Sequence, residues 1–125
     1  MAYDDVYIRR LFNAESVSAS GSSTCSAIDL GNYAKNGYFS LHLQVTGAGT
    51  VKAEYLLSNI NDSDMFKEPS TAVDITSTFG ATSGPDSDGI DLITFEPEVA
   101  RWMKIKITED GGAAAAVVTA YIAIN

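Results

Sequence analysis

Apolar and polar residues alternate along most of this chain, which is the pattern of β-strands that bury one face. In the stretch 39–45 every odd position is apolar and every even position is polar. The stretch 103–107 repeats this alternation with lysine at its even positions. We therefore expect one row to face the core (Leu41, Leu43, Met103, Ile105 and Ile107) and another to face water (His42, Lys104 and Lys106).

Segments of this kind recur, separated by Gly, Ser, Asp and Pro at spacings of about ten residues. No segment has the period of a long amphipathic helix. The pattern predicts an all-β fold, an antiparallel β-sandwich that is jelly-roll-like with about eight strands, in a single domain over residues 1–125. The candidate strands are Val6–Phe12, Ser16–Ser20, Thr24–Asp29, Tyr38–Val45, Thr50–Ser58, Ile90–Phe95, Arg101–Thr108 and Ala116–Ile124.

The connections between the predicted strands differ in length. The glycine-bearing link 46–49 is short enough to predict a hairpin between its two flanking strands. Gly111 and Gly112 supply a turn in the same way before the last strand. Residues 59–89 lose the alternation, and we expect one long ordered loop there, with a short helical turn near Thr71–Thr76. Long loops of this kind are usually functional or packed by their own side chains.

The last strand is apolar on both faces. Val117, Thr119 and Tyr121 form one row, and the alternate row is equally free of charge. Such a strand is either central with both faces covered by its own fold, or it lies where another subunit covers the second face. We predict an interface between subunits that includes Trp102, Val118, Ala120, Ile122 and Ile124.

Charge excludes some partners. Sixteen acidic residues against eight basic ones give a formal net charge of −8, so attraction to nucleic acid or to an anionic membrane is not expected. The first five residues lack the basic and apolar regions of a signal peptide, and no apolar run is long enough for a membrane span. These features predict a protein that is made in the cytoplasm of its host.

No combination of residues predicts catalysis. His42 is the one histidine and is expected on a wet strand face, and no G-x-S-x-G nucleophile motif is present. Cys25 is the one cysteine, which excludes an internal disulfide, and no base follows it closely in sequence. Zinc sites need several Cys or His ligands. We therefore expect a protein that is not an enzyme and that has no cofactor.

One acidic segment is a candidate calcium site. Asp86, Asp88 and Asp91 lie close together around Gly89, as oxygen ligands do in calcium-binding loops. The segment 61–64 is a second acidic cluster. Neither completes an EF-hand, and Asp and Gly are also the commonest turn residues. A metal site and a plain turn are therefore both open interpretations.

Two stretches resemble known proteins. The stretch Ala100–Ala113 with Val117–Tyr121 resembles the closing hairpin of small β-sandwich structural proteins of tailed bacteriophage virions, of the decoration or head-stabilising type. The stretch Val45–Ser58 is similar to an internal hairpin of the same group. The resemblance implies a virion protein that associates with itself, with a trimer favoured, and that binds the major capsid protein or another virion protein.

Trp102 supports a different interpretation. An outward-facing tryptophan can stack on a sugar, or it can pack at the edge of the sheet or in a subunit interface. The strand around it also resembles a strand of discoidin-like carbohydrate-binding modules. The alternative function is therefore a carbohydrate-binding module, assisted by calcium, that uses Trp102 and the loop Asp86–Asp91.

Overall fold

The computed structural model describes residues 6–125, and nearly all of its regular structure is β. The predicted fold class is confirmed. The first five residues, which bear on the expectation about a signal peptide, lie outside the described residues. The strands are β1 Tyr7–Val17, β2 Ser22–Thr24, β3 Ile28–Asp29, β4 Phe39–Gly47, β5 Val51–Ser58, β6 Thr76–Phe79, β7 Ile90–Phe95, β8 Trp102–Glu109 and β9 Ala116–Ile124. A helical turn, α1, spans Leu30–Tyr33, and a 3-10 helix spans Ser63–Met65.

Two antiparallel sheets pack face to face. The first sheet has the order β1-β9-β4-β7, and the second has the order β2-β8-β5-β6, with β3 also paired to β8. If β2 and β3 count as one interrupted strand, the first strand pairs with the last, the second with the next to last, and so on inward. This is a long hairpin rolled into a sandwich, which is the jelly-roll arrangement.

The interruption between β2 and β3 is held by Cys25. Its backbone N–H donates to the Ile105 carbonyl over 3.0 Å, and its Sγ accepts from the Ile105 N–H over 3.2 Å. The side chain is buried. Cys25 thus keeps this edge of the second sheet attached to β8 where the regular pairing stops.

Both predicted hairpins are wrong. β4 lies in the first sheet and β5 in the second, and β8 and β9 are divided in the same way. Each link crosses from one sheet to the other, because the strands on either side of it pair with strands far away in the chain: β4 with β9 and β7, and β5 with β8 and β6. The crossing is tight, since a Cβ added to Gly49 would lie 2.5 Å from the Ala114 carbonyl oxygen, and Gly47 has a φ of 88°.

The core lies between the sheets and includes the inward rows that alternation predicts. Leu41, Leu43, Ile105 and Ile107 are fully buried. β9 contributes the row Ala116, Val118, Ala120, Ile122 and Ile124. His42 is exposed and Lys104 and Lys106 are half-buried on the far side of their strand, as expected.

The segment 59–89, which was expected to be one long loop, contains more regular secondary structure than predicted. It contains β6, which pairs with β5, and a bridge between Leu57 and Lys67. The expected helical turn near Thr71–Thr76 is absent from the structure; instead the Ile75 N–H donates to the Ala53 carbonyl over 2.8 Å and leads into β6. The sequence pattern did not predict β6, because only one of its four residues is large and apolar. Only the first two residues of the predicted strand Ser16–Ser20 lie in a strand, as the end of β1, which continues past two bulges to Val17. Residues 18–20 form a turn.

The buried carboxylate of Glu109 joins three chain crossings at one end of the sandwich. It accepts backbone N–H bonds from Ser20 (3.0 Å), Thr50 (3.1 Å), Gly111 (2.8 Å) and Gly112 (2.7 Å). These donors lower the pKa of Glu109 to about 2. We call this end the closed end. We call the opposite end, where β4 and β8 begin and β9 ends, the open end.

Candidate interaction surface

The structure corrects most of the predicted interface. Val118, Ala120, Ile122 and Ile124 face the second sheet and are at most 1% exposed, so they cannot meet another subunit. The reason is that β9 is a central strand between β1 and β4, and one of its rows must fill the core. The alternate row, which includes Val117, Thr119, Tyr121 and Ala123, faces outward.

That outward row is part of a largely uncharged surface. Strand register aligns Ile8, Ala123, Ser40 and Thr94 in one cross-strand row of the first sheet, and Arg10, Tyr121, His42 and Leu92 in the next. We call these eight residues the outer face. Arg10 is the one residue among them with a full charge at neutral pH.

The outer face exposes large apolar side chains. Ile8 is 65% exposed, Leu92 is 62% exposed and Tyr121 is 39% exposed. A shallow depression of about 430 Å³ lies among them, and His42 forms part of its lining. Apolar side chains that are grouped on one exposed face usually mark a contact with another molecule.

The second sheet presents a different exterior. Lys104 and Lys106 alternate along β8, and Lys52 and Glu54 on β5 form an ion pair at 3.5 Å. The Phe66 ring covers the Lys104 ammonium at 4.4 Å from the ring centroid. The exterior of the second sheet is therefore charged, and the segment that carries Phe66 covers part of it. The outer face of the first sheet is the better candidate for a contact.

The predicted calcium ligands are not brought together. Asp86 is exposed, while the Asp88 carboxylate accepts from the Ile90 N–H over 3.2 Å and so closes a turn. Asp91 pairs with Leu43 in the strand register and lies on the inner side of the edge strand β7. Within residues 6–125, the group of three carboxylates whose oxygens approach within 4.8 Å is Glu54, Glu68 and Asp74.

The second acidic segment also forms a turn. Asp62 caps the 3-10 helix by accepting from the Asp64 N–H over 3.0 Å. Both acidic segments therefore have a structural explanation in the local backbone.

Trp102 is half-buried at the start of β8. The Arg101 guanidinium lies 5.6 Å from its ring centroid and makes a two-pronged contact with Asp29, at 2.6 Å and 3.0 Å. Trp102 is at the open end on the second sheet, whereas the loop Asp86–Asp91 precedes and enters β7 of the first sheet toward the closed end. The structure therefore does not join them in one sugar site.

The two other singled-out side chains differ in access. Burial raises the pKa of the Cys25 thiol, which disfavours the reactive thiolate. His42 lies in the middle of the outer face, beside Tyr121 and Leu92.

The sequence pattern singled out His42 and Tyr121 of the outer face but missed Ile8 and Leu92. Leu92 lies in the run 90–95, where apolar residues occur in both phases, so the pattern does not show which residues face out.

Comparison with known proteins supports the fold. No family model matches the chain, and no curated protein matches it. Among solved structures it is similar to the infectious bursal disease virus VP2 subviral particle, with a TM-score of 0.51 and 17% identity. The match covers 96% of this chain and 32% of that one, so this chain spans about a third of its neighbour. At this identity the likeness shows a shared fold.

Among residues 6–125, no helix has the length and apolar character needed to cross a membrane.

Proposed function

We propose that this chain is a non-enzymatic structural protein of a bacteriophage virion, which decorates the capsid or stabilises the head. It does so by associating with itself and by binding the major capsid protein or another virion protein. The observation that carries the proposal is the exposed apolar outer face of a jelly-roll domain. The fold that it shares with the VP2 protein of a subviral particle supports the proposal.

Self-association is proposed to use the outer face. Each copy carries a formal charge of −8, so copies repel one another, and the repulsion is weakest where they meet without carboxylates. The two rows of the outer face contain no carboxylate. Apolar contact there removes exposed area worth about 25 cal/mol per Å². We propose a closed trimer, in line with the virion proteins that the two stretches resemble.

The experiment that tests self-association is light scattering after size exclusion, at high micromolar concentration and in low and high salt. We expect a discrete oligomer that persists or strengthens in high salt, because salt screens the repulsion between copies. Leu92→Asp should weaken association at least about tenfold, since it removes an apolar contact and adds like charge, which together exceed about 1.4 kcal/mol.

Ile60→Asp is the matched control. Ile60 is 57% exposed but lies in the loop after β5, outside the outer face. The same change of charge there should leave the oligomer intact. A monomer in both salt conditions, or equal effects of the two substitutions, would contradict the proposed use of the outer face.

The virion assignment is tested by the genes that flank this one. Portal, protease or major-capsid genes beside it support a place in the head. Flanking genes for enzymes that degrade polysaccharides would contradict it and favour the carbohydrate-binding alternative.

A further inference from the structure

A second surface lies at the open end and shares only Thr94 with the outer face. A cavity of about 690 Å³ opens in the seam between the two sheets, beside the edge strand β7 and the segment that leads into β6. We call it the seam cavity. Its volume is within the range of ligand pockets.

The floor of the seam cavity is aromatic. The Phe95 ring packs against Phe39 at 5.6 Å and against Tyr55 at 5.8 Å between centroids. Tyr38, which is 72% exposed, and Val73, which is 77% exposed, stand at the rim. Aromatic rings and exposed apolar side chains therefore surround an open space.

The charged groups of this cavity are all negative. Asp74, Glu96 and Glu98 line it, and no Lys or Arg among residues 6–125 does. Asp74 belongs to the carboxylate group with Glu54 and Glu68. A hydrogen bond with Glu54, together with burial and nearby carboxylates, raises the pKa of Glu68 to about 7, as expected where negative charge is concentrated.

Glu98 is held in place as an ionised carboxylate. Its Oε1 accepts from the Tyr55 hydroxyl over 2.6 Å, and its Oε2 accepts from the Thr71 hydroxyl. These hydrogen bonds lower the pKa of Glu98, and the bond from Thr71 has the larger effect. Tyr55 is itself buried, so its ring and the carboxylate that it binds form a fixed pair at the cavity wall.

The neighbouring backbone suits an extended polypeptide. β7 is an edge strand, paired on one side with β4 and open on the other. An added strand can hydrogen-bond to such an edge while its alternate side chains enter pockets beside it. An arginine or lysine side chain can then combine ring contacts with carboxylate contacts.

We propose that the seam cavity binds an arginine or lysine side chain carried by an extended segment of a partner protein. This interaction goes beyond the self-association proposed above. It uses a surface that shares only Thr94 with the outer face, so the two proposals can fail separately. Charge complementarity selects a basic partner, and the open edge of β7 selects a polypeptide over a free amine.

The test is a titration of the labelled protein with the acetylated, amidated peptide Thr-Val-Arg-Val-Thr, followed by amide NMR shifts. We expect saturable shifts at Thr94, Phe95 and Glu96. The same peptide with citrulline in place of arginine keeps the shape but loses the charge. It should bind about twofold to fivefold more weakly.

Two carboxamide variants refine the test. Glu98→Gln retains an oxygen that can accept from Tyr55, and it should weaken binding about twofold to fivefold. Glu15→Gln removes one negative charge from an exposed site on β1, and it should leave binding unchanged. The amide spectra themselves show that both variants are folded.

Three results would overturn this proposal. They are equal binding of the arginine and citrulline peptides, equal effects of the two carboxamide variants, and no saturable shift at these residues. Shifts of the same amides by a neutral sugar, without binding of the peptide, would also overturn it and assign the cavity to carbohydrate.

Discussion

The assignment of the two rows of β9 and its neighbours is open to a direct thermodynamic test. Ile122 is fully buried and faces the second sheet, whereas Leu92, on the same sheet, is 62% exposed on the outer face. Substitution by alanine removes the same three carbons from each. The comparison therefore isolates burial from the chemistry of the side chain.

The expected cost of Ile122→Ala follows from burial. Three buried carbons at about 0.8 kcal/mol each amount to about 2.4 kcal/mol. The cavity left between the sheets adds to this, so we expect a loss of about 3–4 kcal/mol in the free energy of unfolding. The melting temperature of a domain of this size should then fall by about 10–17 °C.

Leu92→Ala should cost less than about 1 kcal/mol, because most of its side chain is already in water. Urea denaturation at low micromolar concentration is the assay, since dilution limits the contribution of association to stability. The dependence of the unfolding free energy on urea should stay the same in both variants. If Leu92→Ala costs as much as Ile122→Ala, the assignment of inner and outer rows is refuted.

Two further predictions concern Glu109 and Cys25. The pKa of Glu109 is about 2 in the folded protein and about 4.3 when unfolded, so its stabilisation is complete above about pH 4.3 and is lost as the pH falls toward 2. Glu109→Gln should lower the melting temperature at pH 7 and flatten its decline between pH 5 and 2; an unchanged acid profile would contradict this account. Cys25 is buried with a raised pKa, so a thiol reagent should label it far more slowly in buffer than in denaturant, and equal rates would show that the thiol is accessible.

Strand type and the direction of many side chains were determined by the sequence alone. The alternation in 39–45 and in 103–107 shows which residues share a face, because successive side chains of any strand point to opposite faces. This is why the burial of Leu41, Leu43, Ile105 and Ile107 agrees with expectation. The bounds of β7 and β9 also match the predicted strands.

Pairing between strands was decided by the tertiary structure. The links after β4 and β8 are short and rich in glycine, and such links serve a hairpin and a crossing between sheets equally well. The crossing is selected by pairing with distant strands, which puts β4 beside β9 and β7 and puts β5 beside β8 and β6. Glu109 shows the same limit, since its four backbone donors come from three separate segments that meet only after the chain has folded.

The candidate surfaces depend on the same long-range decisions. β9 offers two apolar rows that local sequence cannot rank, and the row with Val118 and Ile122 became core because β8 and β5 lie opposite it. The other row became part of the outer face by exclusion. Alternation is a property of neighbouring residues and can be read from sequence, whereas the choice of which face is covered depends on strands far apart in the chain, and only the folded sandwich decides it.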